Sequence, residues 1–159
     1  MKSKELEQLI FNPFHTSKIL HHFLTGVDAN NKNGIKTELI GIVLPIIYND
    51  VLVNNSLSTL NIKSNFKSLI VAYEFKLFAT QINDEIKNFK SLTNNSLIIL
   101  ANTNDIIVSD FIKVKNTIDY HHEKDITLKK IYKASYNLGS IMAKENYLSI
   151  FLKLKITEL

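Results

Sequence analysis

The most apolar stretch of the chain lies between Leu39 and Tyr48, where no residue is charged and every residue except Gly41 and Pro45 is large and apolar or aromatic. A helix that crosses a bilayer needs about 20 apolar residues, so this shorter run predicts a buried core helix instead. Pro45 cannot donate a backbone hydrogen bond, and its ring crowds the carbonyl four residues earlier. We therefore expect a kink at Pro45, or one helix that ends near Val43 and another that starts at the proline.

The first helix of the chain is marked at both ends by its residue types. Asn12 is a good N-cap and Pro13 suits the first helical position, while Gly26 is placed to end the helix. The apolar residues between them recur at helical spacing: Ile19, Leu20, Phe23 and Leu24. Residues 28–34 are dense in turn formers and predict an exposed loop that leads into the core segment.

Three further helical stretches follow the core segment. Ser64 or Asn65 can cap the first of them, whose apolar face is wide enough to pack against residues 39–47. This face consists of Phe66, Leu69, Ile70, Tyr73, Leu77 and Phe78. A second amphipathic stretch starts at residue 83 or 84, and a short helix that is capped at residue 93 or 94 comes after it.

The pattern changes from helical to alternating between Asp105 and Asn116. β-Branched residues are frequent there, and apolar and polar residues alternate from Ile112 to Lys115. We predict two short strands joined near residues 109–110. Two short helices followed by two strands is also the order of a winged helix-turn-helix core, so the sequence before Lys115 is a candidate for that motif.

The clearest amphipathic helix of the chain opens at Asp125 or Thr127 and extends to about Glu145. Apolar residues at helical spacing predict its buried side: Leu128, Ile131, Leu138, Ile141 and Met142. Four lysines share a stripe about 100° wide on the opposite side: Lys129, Lys130, Lys133 and Lys144. A final short helix over residues 146–155 completes the pattern.

Together these elements predict a mainly α protein with a short two-stranded β element, in the α+β class. We expect a helical bundle around a buried, Pro-kinked core helix, with a C-terminal half that has the element order of a winged helix. A length of 159 residues fits a single domain, 1–159, with approximate lobes at 1–80 and 81–159.

Charge is distributed unevenly along the chain. Lysine supplies all nineteen basic residues, so no guanidinium group is present to bind phosphate or guanine in a bidentate manner. Residues 1–110 contain ten lysines and ten acidic residues, whereas residues 111–159 contain nine lysines and five acidic residues. The excess positive charge therefore lies in the last third. The lysine stripe is accordingly the best candidate contact for DNA phosphates or an acidic partner, and an ordinary solvated helix face is the alternative.

No constellation for catalysis, cofactor binding or metal binding is recognisable. The chain has no cysteine, and its four glycines form no phosphate-binding loop. The adjacent pairs His21-His22 and His121-His122 do not share a helix face as metal ligands do, so we predict structural or solvated histidines. We expect no catalytic, cofactor or metal residues and no enzymatic activity.

The N-terminal residues lack the apolar segment of a signal peptide, and we expect a cytoplasmic protein that does not enter a membrane.

Four segments, read together, resemble a known family. They are FNPFHTSKILHHF (Phe11–Phe23), LIGIVLPIIYN (Leu39–Asn49), SLIILANTNDIIV (Ser96–Val108) and LGSIMAKENYLSIFLKLKI (Leu138–Ile156). Their order and spacing resemble the middle component of three-component ABC systems, the family that includes the small accessory subunit of Lamassu defence systems. Members open with an Asn-Pro pair, carry an apolar run that ends in Leu-Pro, and close with a Leu-Gly-x-x-hydrophobic-Ala stretch and a short last helix. They commonly end that helix with Leu-Gly, whereas Lys155 follows the final leucine here.

The resemblance implies a non-catalytic subunit that is encoded with an SMC-like ABC ATPase and an effector, often a nuclease. Such subunits are thought to link the two in a bacterial defence against phage and plasmids, with DNA contacted through the complex. The alternative is a winged-helix DNA-binding regulator. Its recognition helix would be Thr93–Ala101, which offers Asn94, Asn95 and Ser96 but no lysine.

Overall fold

The computed structural model describes residues 10–61 and 63–157, so the residues that bear on a signal peptide lie outside the described part. Its α-helices are α1 (Pro13–Asp28), α2 (Val43–Ile47), α3 (Asp50–Leu52), α4 (Phe66–Ile70), α5 (Tyr73–Ala79), α6 (Ile82–Asn102), α7 (Ile126–Met142) and α8 (Tyr147–Leu154). Its strands are β1 (Ile35–Lys36), β2 (Ile106–Val108) and β3 (Phe111–Val114). Short 3-10 helices cover Thr37–Ile42 and Tyr120–His122, and a π-helical turn covers Val53–Leu57. The mainly α fold with a small β element confirms the predicted class.

Helix α1 begins as predicted and ends later than predicted. Asn12 accepts a hydrogen bond from the backbone N–H of Phe14 (2.8 Å), and Pro13 occupies the first turn. The helix continues through Gly26 to Asp28, so the prediction that this glycine ends it is wrong. A Cβ atom on Gly26 would lie 2.0 Å from the carbonyl oxygen of Tyr136 in α7. The glycine is therefore needed for close packing of two helices and not for a turn.

The contact between α1 and α7 is reciprocal and forms the centre of the fold. A Cβ atom on Gly139 would lie 2.0 Å from the carbonyl oxygen of Phe23, so each helix presents a glycine to the backbone of the other. The hydroxyl of Ser135, which is fully buried, donates to the carbonyl of Ile19 (2.7 Å). Asp125 caps α7 as predicted, and the helix ends at Met142, three residues before the expected end.

The predicted core segment is buried, and its helix type changes two residues before the proline. The backbone changes from a 3-10 helix to α2 at Val43, two residues before Pro45. The proline thus lies in the first turn of α2, where its missing N–H would have no helical partner. The change near Val43 agrees with one of the two predicted outcomes, but the second helix starts at Val43 and not at Pro45, and it continues through the proline. A bend of 87° follows the proline and separates Thr37–Ile47 from Asp50–Leu57. Within the described residues no single helix is long and apolar enough to cross a membrane; those two segments meet that requirement only together, across the bend.

The helices between residues 64 and 102 differ from the predicted ones in their boundaries and in the residues that they bury. Asn65 caps α4 as predicted, but an extended Ala72 separates α4 from α5. This break rotates α5, so that Phe75 is buried while Tyr73 and Leu77 of the predicted buried face are 75% and 56% exposed. Helix α6 then runs without interruption through Thr93, where a second helix was predicted to begin.

The predicted hairpin is confirmed and belongs to a three-stranded sheet. Strands β2 and β3 pair antiparallel, with Ile106 opposite Val114 and Val108 opposite Ile112, and they are joined at residues 109–110. The additional strand β1 pairs antiparallel with the other edge of β3, which gives the order β1-β3-β2. Strand β1 has only two residues, directly after Gly34 (φ +85°). A run this short shows no strand pattern in the sequence, and β1 was therefore not predicted.

Candidate partner-binding surface

The lysine stripe is only partly assembled by the fold. Three of its members, Lys129, Lys130 and Lys133, lie on α7 within about 100° of the helix circumference. Lys144 lies two residues beyond the end of α7, about 16 Å from Lys133 along the helix axis by helical rise. Lys130 and Lys144 are exposed, whereas the other two are half-buried. The structure therefore brings together a cluster of three lysines, and it separates the fourth.

Two of the four lysines make hydrogen bonds that orient them. The Nζ of Lys129 donates to the carbonyl of His121 (3.0 Å), and the Nζ of Lys144 donates to the carbonyl of Ser64 (3.2 Å). Lys133 lines a cleft of about 600 Å³ between α7 and residues 117–121. Lys129 and Lys144 therefore hold neighbouring segments in place while keeping their charge at the surface, which is compatible with a contact to phosphate or carboxylate groups.

The histidines divide into a buried pair and an exposed pair. The Nε2 of His21 donates to the carbonyl of Asn116 (2.6 Å), which ties α1 to the segment after β3. The ring of His22 stacks on Tyr132 of α7 with centroids 4.4 Å apart. Burial lowers the pKa of His22 to about 4, so that this side chain is neutral near pH 7. Both residues are consistent with the expected structural role.

The exposed pair lies in the 3-10 helix at residues 120–122. The Nδ1 of His121 lies 2.6 Å from Oδ1 of Asp119, and hydrogen bonds from the backbone and ring of this histidine lower the pKa of that carboxyl. His122 lines a second cleft, of about 510 Å³, together with His21 and His22. No group of three or more His, Asp or Glu side chains that could hold a metal ion occurs within residues 10–61 and 63–157. The cleft thus offers hydrogen-bonding and stacking groups.

A family model described as ABC-three component (ABC-3C) system Middle Component 3 matches residues 2–158. The chain belongs to this family. No curated protein matches it, and no solved structure matches it.

The motifs that suggested a middle component have physical roles in this one. The Asn-Pro pair caps and starts α1. The proline of the Leu-Pro step follows the change of helix type at Val43. The glycine of the Leu-Gly-x-x-hydrophobic-Ala stretch, Gly139, permits the close contact with α1. Each motif residue therefore positions backbone, and none of them is a reactive group.

The part of this middle component that had the order of a winged helix lacks the helix-turn-helix step. Residues 82–102 form one helix, so Thr93–Ala101 is its second half and not a separate recognition helix. Thr93 and Ser96 are buried there, and the hydroxyl of Ser96 makes a hydrogen bond with that of Thr16 in α1. Two of the side chains that a groove-reading helix would present therefore face the core. Thr93 and Asn94 have the residue types of helix caps, which led to the wrong boundary.

Proposed function

We propose that this middle component is a non-catalytic adaptor that links an SMC-like ABC ATPase to an effector, often a nuclease, in a Lamassu-type complex that acts against phage and plasmids. Membership of the middle-component family over residues 2–158 carries the proposal, because the family is defined as one part of a system with several components. The lack of nucleophile, phosphate-loop and thiolate-metal motifs in the sequence supports a role in binding.

Co-expression with the products of the neighbouring genes tests this function directly. We expect the purified complex to contain the chain, an ABC ATPase and an effector, with a mass that accounts for all three. Omitting this chain should abolish association between the other two, because the adaptor would provide their contact. An ATPase and effector that associate equally well without it would contradict the linking role. The isolated chain is expected to hydrolyse neither ATP nor DNA.

Within the complex, we assign the lysine cluster of α7 to contact with DNA or an acidic partner surface. Changing Lys129, Lys130 and Lys133 to Glu replaces attraction by repulsion, so assembly or DNA affinity should fall at least tenfold at low salt and less at moderate salt. Replacing the exposed Lys130 should change stability by no more than about 0.5 kcal/mol. Lys129 and Lys133 are half-buried, and Lys129 donates to the carbonyl of His121, so thermal unfolding is measured to show that the variant is folded before its binding is compared.

A matched control uses three exposed lysines from the first half of the chain, Lys63, Lys67 and Lys76. Their replacement by Glu makes the same change in net charge without altering α7. Both variants are compared by pull-down with the other components and by DNA titration at two salt concentrations. Equal losses in the two variants would show that net charge matters and the position does not. No loss in the α7 variant would make the cluster a solubilising surface.

A further inference from the structure

One narrow stripe of α7 faces the cleft of about 600 Å³ between this helix and residues 117–121. At 100° per residue, four side chains of α7 fall within an arc of about 60°. They are Lys129, Lys133, Tyr136 and Ser140, and the last three line the cleft. Residues three or four apart on one helix face are neighbours, so Lys133 and Tyr136 lie side by side. The stripe therefore places a positive charge next to an aromatic ring.

The same cleft contains an amide oxygen without a partner. Asn137 lines the cleft and is only 8% exposed. Its Nδ2 donates to the carbonyls of Leu57 (3.0 Å) and Leu60 (3.2 Å), which fixes the orientation of the amide. Its Oδ1 accepts no hydrogen bond from residues 10–61 or 63–157. An acceptor that the fold holds in place and leaves unpaired is available to a donor group of a ligand.

A hydroxyl group lies three residues further along α7. Ser140 is 3% exposed, and its Oγ accepts a hydrogen bond from Nδ2 of Asn30 (2.7 Å). The hydroxyl proton has no acceptor among the described residues. The cleft thus offers an acceptor at Asn137 and a donor at Ser140, on neighbouring positions of one helix. Nucleobases carry donors and acceptors side by side along their edges, and this pair of groups matches such an edge.

Two tyrosines supply a surface for a planar ligand. Tyr136 is half-buried, and the ring of Tyr120 lies 5.5 Å from it and is tilted by 56°. Within the described residues no ring stacks parallel on Tyr136, so a flat group can occupy that position. The charged residues that line the cleft are Lys133 and Asp119. Asp119 Oδ1 already accepts from the backbone N–H of His121 (2.8 Å), whereas Lys133 has no carboxylate partner within the described residues.

We propose that this cleft binds one nucleobase of a single strand of DNA, stacked on Tyr136, with the adjacent phosphate near Lys133. The inference rests on the proposed contact of the lysine cluster with DNA and names the form of DNA that it takes. A lysine-lined groove with aromatic rings is how proteins bind single strands, and the cleft volume lies within the range of about 300–1,000 Å³ for ligand sites. A base within a duplex is paired and stacked, so it cannot enter.

The test compares a labelled single strand with the duplex of the same sequence, by fluorescence anisotropy with the full chain. We expect Tyr136→Leu to weaken binding of the single strand about 5- to 100-fold, the loss typical of removing a stacked ring, and to leave the duplex unchanged. Tyr136→Phe keeps the ring and should bind as the wild type does. Circular dichroism and thermal unfolding show that both variants are folded.

A second measurement needs no variant. A single strand that contains 5-iodouracil is crosslinked to the wild-type chain by ultraviolet light, and the crosslinked residue is identified by mass spectrometry. We expect the crosslink at Tyr120 or Tyr136, the two rings that line the cleft. Crosslinks found only outside the cleft would overturn the site, even where Tyr136→Leu does not fold.

The matched control is Tyr73→Leu. Tyr73 is 75% exposed on α5 and does not line the cleft, so its replacement removes the same kind of ring from another surface. It should leave the affinity for both forms of DNA unchanged. An equal loss of single-strand binding in this control would show that any surface tyrosine contributes, and would overturn the inference.

The outcomes separate the cleft from the functions on which it rests. If the triple lysine variant weakens both forms of DNA and Tyr136→Leu weakens neither, the lysine contact stands and the nucleobase site is overturned. A free deoxynucleoside monophosphate that competes as well as the oligonucleotide would overturn the single strand as the ligand. If neither the chain nor the co-expressed complex binds a single strand, the site fails. The adaptor function still stands if the ATPase and the effector associate only through this chain.

Discussion

Helices α7 and α8 follow each other along the chain and use apolar residues in opposite ways. In the second half of α7, residues 137–142 are all buried, although three of them are Asn137, Gly139 and Ser140. In α8, Leu148 and Leu152 are apolar and remain exposed. The difference shows that a close backbone contact can bury polar positions within the chain. Apolar composition alone, in contrast, does not determine which side chains of a helix are buried.

The largest expected effect tests the backbone contact of α7. Gly139→Ala would place a Cβ atom 2.0 Å from the carbonyl oxygen of Phe23, and two backbones cannot separate without loosening the core around them. We expect the free energy of unfolding to fall by about 3–5 kcal/mol, measured by urea denaturation. Gly41→Ala is the control, since its Cβ atom would meet Ile86 at an ordinary 3.8 Å and should change stability by less than about 1 kcal/mol. Similar values for both would mean that the helices are not held by the glycines.

A smaller effect concerns the imidazole at the same contact. Burial and the neighbouring His21 depress the pKa of His22 to about 4 in the folded state, below the value of about 6.5 in the unfolded chain. The unfolded state therefore binds this proton first as the pH falls. The contribution of His22 to the free energy of unfolding is therefore complete above pH 6.5 and is lost between pH 6.5 and 4. We expect this loss to be about 1–2 kcal/mol, after a discount for solvent screening from the adjacent cleft.

His22→Phe isolates that contribution. Phenylalanine can stack on Tyr132 but cannot take up a proton, so the variant should lose less stability than the wild type between pH 6.5 and 4.5. The carboxyl groups of Asp105 and Asp119 also have lowered pKa values, so their protonation in acid destabilises both proteins. The contribution of His22 is therefore the difference between the two stability curves. Parallel stability curves for the two proteins would mean that His22 is not neutral and buried.

The starts of three helices and the position of the hairpin were predicted well from the sequence. Asn12, Asn65 and Asp125 each accept a backbone hydrogen bond at the start of a helix, and the hairpin at residues 109–110 lies where the period changes. These features depend on a few adjacent residues, so their physical causes are visible in the sequence.

Features that depend on distant residues were missed. Glycine is common at helix ends, so Gly26 was expected to end α1. Only its close packing against the backbone of Tyr136 on another helix explains why a glycine lies inside α1. Thr93 resembles a cap, and only its burial within α6 shows otherwise. The lysine cluster was predicted from spacing on α7, whereas the separation of Lys144 required the actual end of that helix. Helix α8 has only two polar residues in eight, so periodicity alone could not show that Ile150 and Leu154 are buried while Leu148 and Leu152 are exposed.

The smallest expected effect concerns the end of α8, where the backbone turns left-handed. Lys155 adopts a left-handed backbone conformation (φ 54°), which costs a residue with a Cβ atom about 1–2 kcal/mol and costs glycine almost nothing. Lys155→Gly should therefore raise the free energy of unfolding by about 1 kcal/mol and the midpoint of thermal unfolding by about 2–4 °C. Lys155→Ala removes the same side chain but keeps the Cβ atom, so it should give no such gain. Since the Asn83 side chain donates to the carbonyl of Lys155 (3.1 Å) and accepts from the N–H of Thr157 (3.0 Å), the end of the helix is held in place and the strain cannot relax by fraying. An equal gain from glycine and alanine would place the cost in the lysine charge, and the left-handed backbone would then not be its source.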